Sequence, residues 1–87
     1  MGYSIEYAPA ALRQLKKLTP QFIKGILKGI EGLSNNPKSG KVKKLTGTVN
    51  EYRLRVGDHR IIYVVDDSRS AIIITKVAHR RDIYRNL

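Results

Sequence analysis

The spacing of apolar residues changes from a helical period to a strand-like period along the chain. Residues 3–7 alternate in polarity and include β-forming side chains, which predicts a first strand. Pro9 suits the first turn of a helix, and an apolar residue follows at every third position. A second apolar stripe starts after Thr19-Pro20 and ends before the turn-forming residues 34–37. These features predict two α-helices in a hairpin.

Three glycines, Gly25, Gly29 and Gly32, cluster on one side of the second predicted helix. Each costs about 1 kcal/mol relative to alanine in a helix interior, so a packing reason is expected. Because a missing side chain lets backbones approach closely, we expect the first helix to pack against them. A groove for a partner helix is the alternative.

Beyond Glu51 an apolar residue recurs at every second position, up to the Gly57-Asp58 pair. This pair is typical of a two-residue hairpin turn. The other segments are predicted as strands at residues 59–65 and 71–77, a loop at residues 38–44, and one or two helical turns at residues 80–87. The order β-α-α-β-β-β, with a short C-terminal helix, predicts a single α+β domain spanning residues 1–87. In it, the N-terminal strand and helical hairpin pack on a mainly antiparallel, twisted sheet.

Three arginines are expected on one face of this sheet. If Gly57 and Asp58 form the turn, Arg55 lies opposite Arg60 and shares a face with Arg53. Like charges facing each other destabilise a hairpin by up to about 1 kcal/mol, which is tolerable if the cluster holds an anion. Guanidinium groups bind phosphate oxygens in bidentate fashion and stay charged.

The basic cluster extends upstream through Lys41, Lys43 and Lys44. A solvated sheet face with no specific role is the alternative interpretation, since exposed charges usually do nothing specific.

Composition supports an anionic partner. Seventeen Lys and Arg against seven Asp and Glu give the 87 residues a net charge of +10. Such a chain attracts phosphate backbones by counterion release, with anionic lipid as a competing target and a merely soluble basic surface as a third possibility. The sequence has no cysteine, no apolar run long enough to cross a bilayer and no secretory signal at its N-terminus. We therefore expect a cytoplasmic protein without a membrane partner.

The C-terminal segment adds residues whose side chains suit catalysis or RNA binding. His79 can exchange protons near neutral pH, Arg80 and Arg81 add guanidinium groups, and Tyr84 can stack on an unpaired base. A structural histidine and a tyrosine packed on its own domain are the alternatives.

Residues 50–63 resemble the central hairpin of the RelE/ParE toxin superfamily, and residues 77–85 resemble its C-terminal signature. The leucine pattern of residues 10–18, the Asn36-Pro37 pair and residues 44–47 also fall where that family puts them. The likeness covers almost the whole chain and implies a RelE-like fold.

The resemblance implies the toxin of a type II toxin-antitoxin system. RelE-like toxins enter the ribosomal A site and cleave messenger RNA without metal or cofactor, through attack of a 2′-hydroxyl on the adjacent phosphate. Transferred by motif position, Arg53, Arg55 and Arg60 would stabilise the phosphate, Arg80 would meet the leaving oxygen, and Tyr84 would orient a nucleotide.

The sequence departs from the RelE pattern at three places. Arg53 and Arg55 replace lysines of the best-known RelE toxin, and an arginine is a poor general base because its pKa exceeds about 12. His79 is therefore the candidate for proton transfer, with Glu51 second. Thr46 replaces a basic residue, for which Lys44 is a possible substitute. Finally, Tyr84 follows Arg80 by four positions rather than six.

Two other functions remain open. A ParE-like gyrase poison would share the fold, although ParE-like chains generally lack the complete tail of basic residue and aromatic ring. A non-enzymatic RNA-binding module, or an inactive toxin relative, would bind RNA without cleaving it. For the toxin we expect ribosomes, messenger RNA and an acidic, partly disordered antitoxin as partners.

Overall fold

The computed structural model describes residues 2–38, 42–45, 47 and 50–79. Within these residues the elements are, in chain order, β1 (Ser4–Tyr7), α1 (Pro9–Lys16), α2 (Pro20–Leu33), β2 (Val42–Lys44), β3 (Glu51–Val56), β4 (His59–Asp66) and β5 (Ala71–His79). The predicted C-terminal helix and several predicted site residues lie outside the described residues, namely Lys41, Arg80, Arg81 and Tyr84.

The strands form one sheet in the order β1-β5-β4-β3-β2. β1 runs parallel to β5, and the other three pairings are antiparallel. The mainly antiparallel α+β architecture is therefore confirmed. At residues 42–44 the prediction of a simple loop was wrong, because Val42 pairs with Leu54 and starts an edge strand. Three residues are too few to show alternation, and pairing with β3 supplies the hydrogen bonds that define this strand.

The two helices cover one face of the sheet, α1 against β5 and α2 against β3. Their buried residues recur at helical spacing, with Ala11 and Leu15 on α1 and Ile26 and Ile30 on α2. They meet a layer of apolar side chains on β4 and β5, which includes Ile61, Tyr63, Val65, Ile72 and Ile74. Among the described residues, neither helix has the length and apolar character needed to cross a membrane.

The buried hydroxyl of Tyr63 ties this core to the end of the helical hairpin. It donates a hydrogen bond to the Pro37 carbonyl oxygen at 2.5 Å. The donor group of an otherwise apolar, fully buried ring is thereby satisfied, and the chain leaving α2 is fixed against β4.

Gly29 of α2 packs against the sheet rather than against α1, which corrects the predicted partner. A Cβ atom on Gly29 would lie 2.9 Å from Val56 Cγ2, and one on Gly25 would lie 4.0 Å from Val56 Cγ1. The glycine at position 29 therefore permits a close approach of α2 to β3. Gly32 has no such neighbour within 4 Å among the residues that the structure describes.

Candidate nucleic-acid interface on the sheet

The β3–β4 hairpin has the register that the sequence predicted. Gly57 adopts a φ of +58°, which suits glycine, and the two-residue turn pairs Val56 with His59. The next pair along the ladder is Arg55 and Arg60. The expected cross-strand arginine pair is therefore confirmed.

The third arginine lies on the same face. Arg53 pairs with Ile62, two positions from the Arg55–Arg60 pair, so all three guanidinium side chains leave the sheet on one side. Leu54 and Ile61 point to the other side, where the helices pack. We call the side that carries these arginines the arginine face.

Arg60 is buried although it carries a charge. Its side chain is only 5% exposed, and Nη1 donates hydrogen bonds to the carbonyl oxygens of Gly57 at 3.3 Å and His59 at 3.2 Å. No carboxylate of the described residues forms a salt bridge with it. A buried charge without a counter-ion is costly, so an anion arriving at this face is attracted strongly. The carbonyl contacts fix the guanidinium before any ligand binds.

Two lysines enlarge the arginine face. Lys43 lies opposite Arg53 on β2, and Lys76 lies opposite Ile62 on β5. Neighbouring strands are about 4.8 Å apart, so Lys76, Ile62, Arg53 and Lys43 form one row across four strands. Arg60 and Arg55 form the next row. In the described part of the chain, five cations thus share this surface.

Lys44 does not belong to the arginine face. It pairs with Tyr52, whose side chain lies on the helix side of the sheet and stacks on Tyr63 with ring centroids 5.8 Å apart. The predicted basic track therefore includes Lys43 but not Lys44, because successive residues of a strand point to opposite faces.

Sequence reasoning missed Lys76 because of a β-bulge. The pairing of β4 with β5 shifts between Ile62 and Tyr63, and Thr75 is the extra residue. Simple alternation from Ile72 and Ile74 would place Lys76 on the helix side, where those two isoleucines are fully buried. The extra residue reverses the face of the sheet to which the following side chains of β5 point. No feature of the sequence indicates this bulge.

His79, the last residue of β5, lies on the opposite side of the sheet from the arginines. His79 pairs with His59, and the two rings are nearly perpendicular with centroids 5.7 Å apart. The ring of Phe22 on α2 lies 5.0 Å from that of His59, which confirms that this is the helix side. The sequence analysis assigned His79 and the arginines to one site. The structure instead places His79 on the helix side of the sheet, away from Arg55 and Arg60.

The two histidines line a cavity of about 620 Å³ between the start of α2 and the β3–β4 turn. Leu18, Phe22 and Val56 contribute apolar side chains to the lining of this cavity, which also includes Lys17. Burial, and secondarily the charge of His79, lower the pKa of His59 below its ordinary value.

Glu51, the second candidate for proton transfer, lies on the arginine face. It pairs with Val64 and is two positions from Arg53 on β3. Its side chain is half-buried. The structure thus places a carboxylate, rather than an imidazole, on the surface that carries the arginines.

Comparison with known proteins finds relatives of this chain. A family model described as "ParE toxin of type II toxin-antitoxin system, parDE" matches residues 5–84. Toxin RelG of Mycobacterium tuberculosis is 35% identical over 89 residues, which cover 98% of this chain and 99% of RelG.

Two solved complexes have the same fold. The RelBE2 toxin-antitoxin complex of Mycobacterium tuberculosis contains a chain with 27% identity and a TM-score of 0.81, with 92% of this chain and 93% of that one covered. The RelE-RelB complex of Pyrococcus horikoshii gives 29% identity and a TM-score of 0.78, with 92% and 97% covered. The chain therefore belongs to the RelE/ParE superfamily of type II toxin-antitoxin toxins.

Proposed function

We propose that this toxin is a metal-independent endoribonuclease that cleaves messenger RNA in the ribosomal A site and so stops translation. The observation that carries the proposal is the convergence of Arg53, Arg55 and Arg60 on one face, with Arg60 buried and lacking a described carboxylate partner. The relatives named RelG and RelE support the same activity by family.

The arginine face suits attack of a 2′-hydroxyl on its adjacent phosphate. The 2′-oxygen bonds to phosphorus, the bond from phosphorus to the 5′-oxygen breaks, and the products are a 2′,3′-cyclic phosphate and a 5′-hydroxyl. Negative charge accumulates on the phosphorane during this step. Preorganised cations such as Arg60 stabilise that charge without reorganisation, which is a major source of catalysis in a desolvated site.

Proton transfer requires a base near the 2′-hydroxyl and an acid near the leaving oxygen. Because Glu51 lies on the arginine face and His79 on the other side, Glu51 replaces His79 as our candidate base. Arg80 is proposed to meet the leaving oxygen and Tyr84 to orient a nucleotide, with Arg81 adding a backbone contact. The roles of Arg80 and Tyr84 rest on the family motif.

Cleavage can be tested on ribosomes stalled on a defined message, with the new RNA ends mapped after incubation with pure protein. Wild type is expected to cut in the A-site codon and Arg60→Ala to lose activity. Glu51→Gln should lower the cleavage rate more than His79→Gln. An uncut message in both wild type and Arg60→Ala would refute the proposal, and cutting that requires added metal would refute its metal independence.

A cognate antitoxin is the proposed protein partner. Two solved relatives are toxin-antitoxin complexes, and this chain carries a net charge of +10. We propose an acidic, partly disordered polypeptide that folds along the toxin and neutralises its arginines. Copurification from the native host should recover such a protein. Its absence, together with harmless overexpression of the toxin, would contradict this partner.

Gyrase poisoning is the second candidate, favoured by the family model, which is described as a ParE toxin. Pulse labelling after induction separates the two functions. An endoribonuclease stops incorporation of amino acids first, whereas a gyrase poison stops DNA synthesis first. Salt-sensitive RNA binding without product would instead indicate a non-enzymatic module.

A further inference from the structure

The two histidines of the chain, His59 and His79, come together on the helix side of the sheet. They are far apart in sequence, but the antiparallel pairing of β4 with β5 places them directly opposite each other. Both rings line the cavity of about 620 Å³ beside α2. The sequence has no cysteine, so both of its strong ligands for transition metals meet at this one point.

The separation of the two rings suits a shared metal ion. Their centroids lie 5.7 Å apart. An imidazole nitrogen binds zinc at about 2.0–2.1 Å, which puts the metal about 3.2 Å from the centre of each ring. A tetrahedral angle at the metal then requires ring centres about 5.2 Å apart. The observed distance exceeds this value by only about half an ångström.

Coordination by both rings requires rotation of the side chains but no change of the backbone. The ring planes meet at 82°, edge to face, so a ring must turn to aim its nitrogen at a common point. The second side-chain torsion of histidine has a broad distribution, and the cavity lies beside both rings. Opposite residues of an antiparallel pair have Cβ atoms about 4.5–5.5 Å apart, a separation that two imidazoles can span around one ion.

Water from the cavity would complete the coordination of such an ion. Among the described residues, no group of three or more His, Asp and Glu side chains is arranged to hold a metal. Two histidine ligands therefore leave positions open, and the adjoining cavity has room for water molecules. Each imidazole uses one ring nitrogen for the metal and keeps the other for a hydrogen bond.

We propose that His59 and His79 form a two-histidine site for a divalent transition metal ion such as Zn²⁺. Imidazole suits Zn²⁺, Ni²⁺ and Cu²⁺, whereas Mg²⁺ and Ca²⁺ prefer oxygen ligands. The site lies on the opposite side of the sheet from the arginine face, so the metal takes no part in the proposed cleavage of RNA.

The local charges permit a cation at this position despite the basic composition of the chain. Burial lowers the pKa of His59, so its ring is neutral near pH 7, and the neutral ring is the form that binds metal. Asp58 lines the same cavity and offsets the charge of Lys17. The guanidinium groups of the arginine face leave the sheet on the other side, and salt screens charges beyond about 8 Å.

A metal ion at this site would also fix the residue that positions Arg60. The carbonyl oxygen of His59 accepts a hydrogen bond from Arg60 Nη1 at 3.2 Å, while the His59 ring faces the cavity. Coordination of both rings joins the end of β5 to the start of β4. The ion therefore stabilises the folded state, because the unfolded chain does not hold the two imidazoles at this spacing.

Metal binding can be measured by titrating the full-length protein, without an affinity tag, with Zn²⁺ and in parallel with Mg²⁺. Calorimetry gives stoichiometry and affinity, thermal unfolding gives the change in stability, and nuclear magnetic resonance of ¹⁵N-labelled histidine identifies the ligating rings. His59→Gln and His79→Gln each remove one ligand. Asp58→Asn is the control, because it removes a charge from the same cavity and keeps both imidazoles.

Wild type should bind one Zn²⁺ per chain, and the resonances of both imidazoles should shift together. Each histidine variant should bind at least about a hundredfold more weakly, because the second imidazole otherwise binds the same ion intramolecularly. Zn²⁺ should raise the melting temperature of wild type and of Asp58→Asn but not that of either histidine variant. Mg²⁺ should raise none of them.

A shift of one imidazole alone, or a smaller loss of affinity in His79→Gln, would overturn the proposal, since histidines that merely pack together do not chelate an ion. Weakening by Asp58→Asn as large as that by His79→Gln would assign the ion to the carboxylate instead. His79 is only half-buried, so His79→Gln keeps the test decisive if the more buried His59→Gln fails to fold. RNA cleavage enters none of these measurements, so their outcome is independent of the proposed function.

Discussion

The hydroxyl of Thr75 donates a hydrogen bond to the carbonyl oxygen of Ile62 at 3.2 Å, across the bulge between β4 and β5. Bulges leave one residue unpaired and re-aim the side chains that follow it. Here the bulge turns Lys76 to the arginine face and Val77 to the core. A side-chain hydrogen bond thus stabilises the register on which the composition of the site depends.

Replacing Thr75 by valine should destabilise the fold. The shape is conserved, but the hydrogen bond to Ile62 is removed, which typically costs about 1 kcal/mol. For a domain of this size the melting temperature should fall by roughly 4–8 °C. Thermal unfolding followed by circular dichroism measures the change.

Thr19→Val is the matched control. Thr19 precedes α2, is exposed, and its side chain makes no capping hydrogen bond. The same chemical change there should leave the melting temperature within a degree or two of wild type. An equal drop at both positions would show that the bulge bond does not stabilise the fold.

Lys76→Gln should weaken the interaction with message without affecting stability. Its place in the row with Arg53 and Lys43 lies beside the proposed phosphate site rather than on it. We therefore expect the KM for programmed ribosomes to rise about three- to tenfold with little change in kcat. Lys44→Gln, on the other face, is the control. Equal effects of the two variants would contradict this assignment of faces.

The sequence predicted those parts of the site that depend on local geometry. The Gly57-Asp58 turn and strict alternation were enough to place Arg53, Arg55 and Arg60 on one face, because a two-residue turn fixes the register of both strands. Lys76 and His79 could not be placed, since the bulge between β4 and β5 reverses the alternation of side chains along β5 and depends on tertiary packing.

Non-local packing also explains the other differences. The edge strand β2 exists through its pairing with β3, and its three residues carry no periodic pattern. The glycines of α2 indicated a close approach, but periodicity does not reveal which element approaches. Only the position of α2 over β3 identifies Val56 as the neighbour of Gly29.

Gly29→Ala and Gly32→Ala should change stability in opposite directions. A methyl group at position 29 would lie 2.9 Å from Val56 Cγ2 and 3.4 Å from Leu54 Cδ2, so α2 or the stiff valine must shift. At position 32 no atom of the described ranges lies within 4 Å of the added methyl group. Alanine there should raise the free energy of unfolding by about 0.5–1 kcal/mol through helix propensity alone.

Urea unfolding of the two glycine variants provides the measurement. The same chemical change at both positions cancels the propensity gain, so the difference between them reports the contact with Val56. Stabilisation by Gly29→Ala equal to that by Gly32→Ala would show that α2 does not approach β3 as closely as described.

Arg55→Gln should stabilise the protein while reducing cleavage. Arg55 is exposed and lies directly opposite Arg60, and such like-charged pairs cost up to about 1 kcal/mol. The gain should shrink in high salt, because screening weakens the repulsion in wild type. Arg13→Gln, which removes a cation from α1, is the control and should change stability little. A loss of stability in Arg55→Gln would contradict repulsion across the hairpin.

Mild acid should destabilise the protein through His59. Burial and the nearby His79 lower the pKa of His59 below its ordinary 6.5 in the folded state. As pH falls through that value, the unfolded chain therefore binds a proton that the folded chain resists. Unfolding free energy should then decrease between pH 7.5 and 5.5, with a slope of at most about 1.4 kcal/mol per pH unit for one proton.

Two variants isolate this effect. His59→Gln should flatten the dependence of the melting temperature on pH, whereas His79→Gln should only reduce it, because burial of His59 remains the larger cause. Asp66 and Asp67 also have lowered pKa values, but their ordinary value of 3.8 places their contribution below this window. An undiminished pH dependence in His59→Gln would show that another group, and not the His59 imidazole between Phe22 and His79, is responsible for the titration.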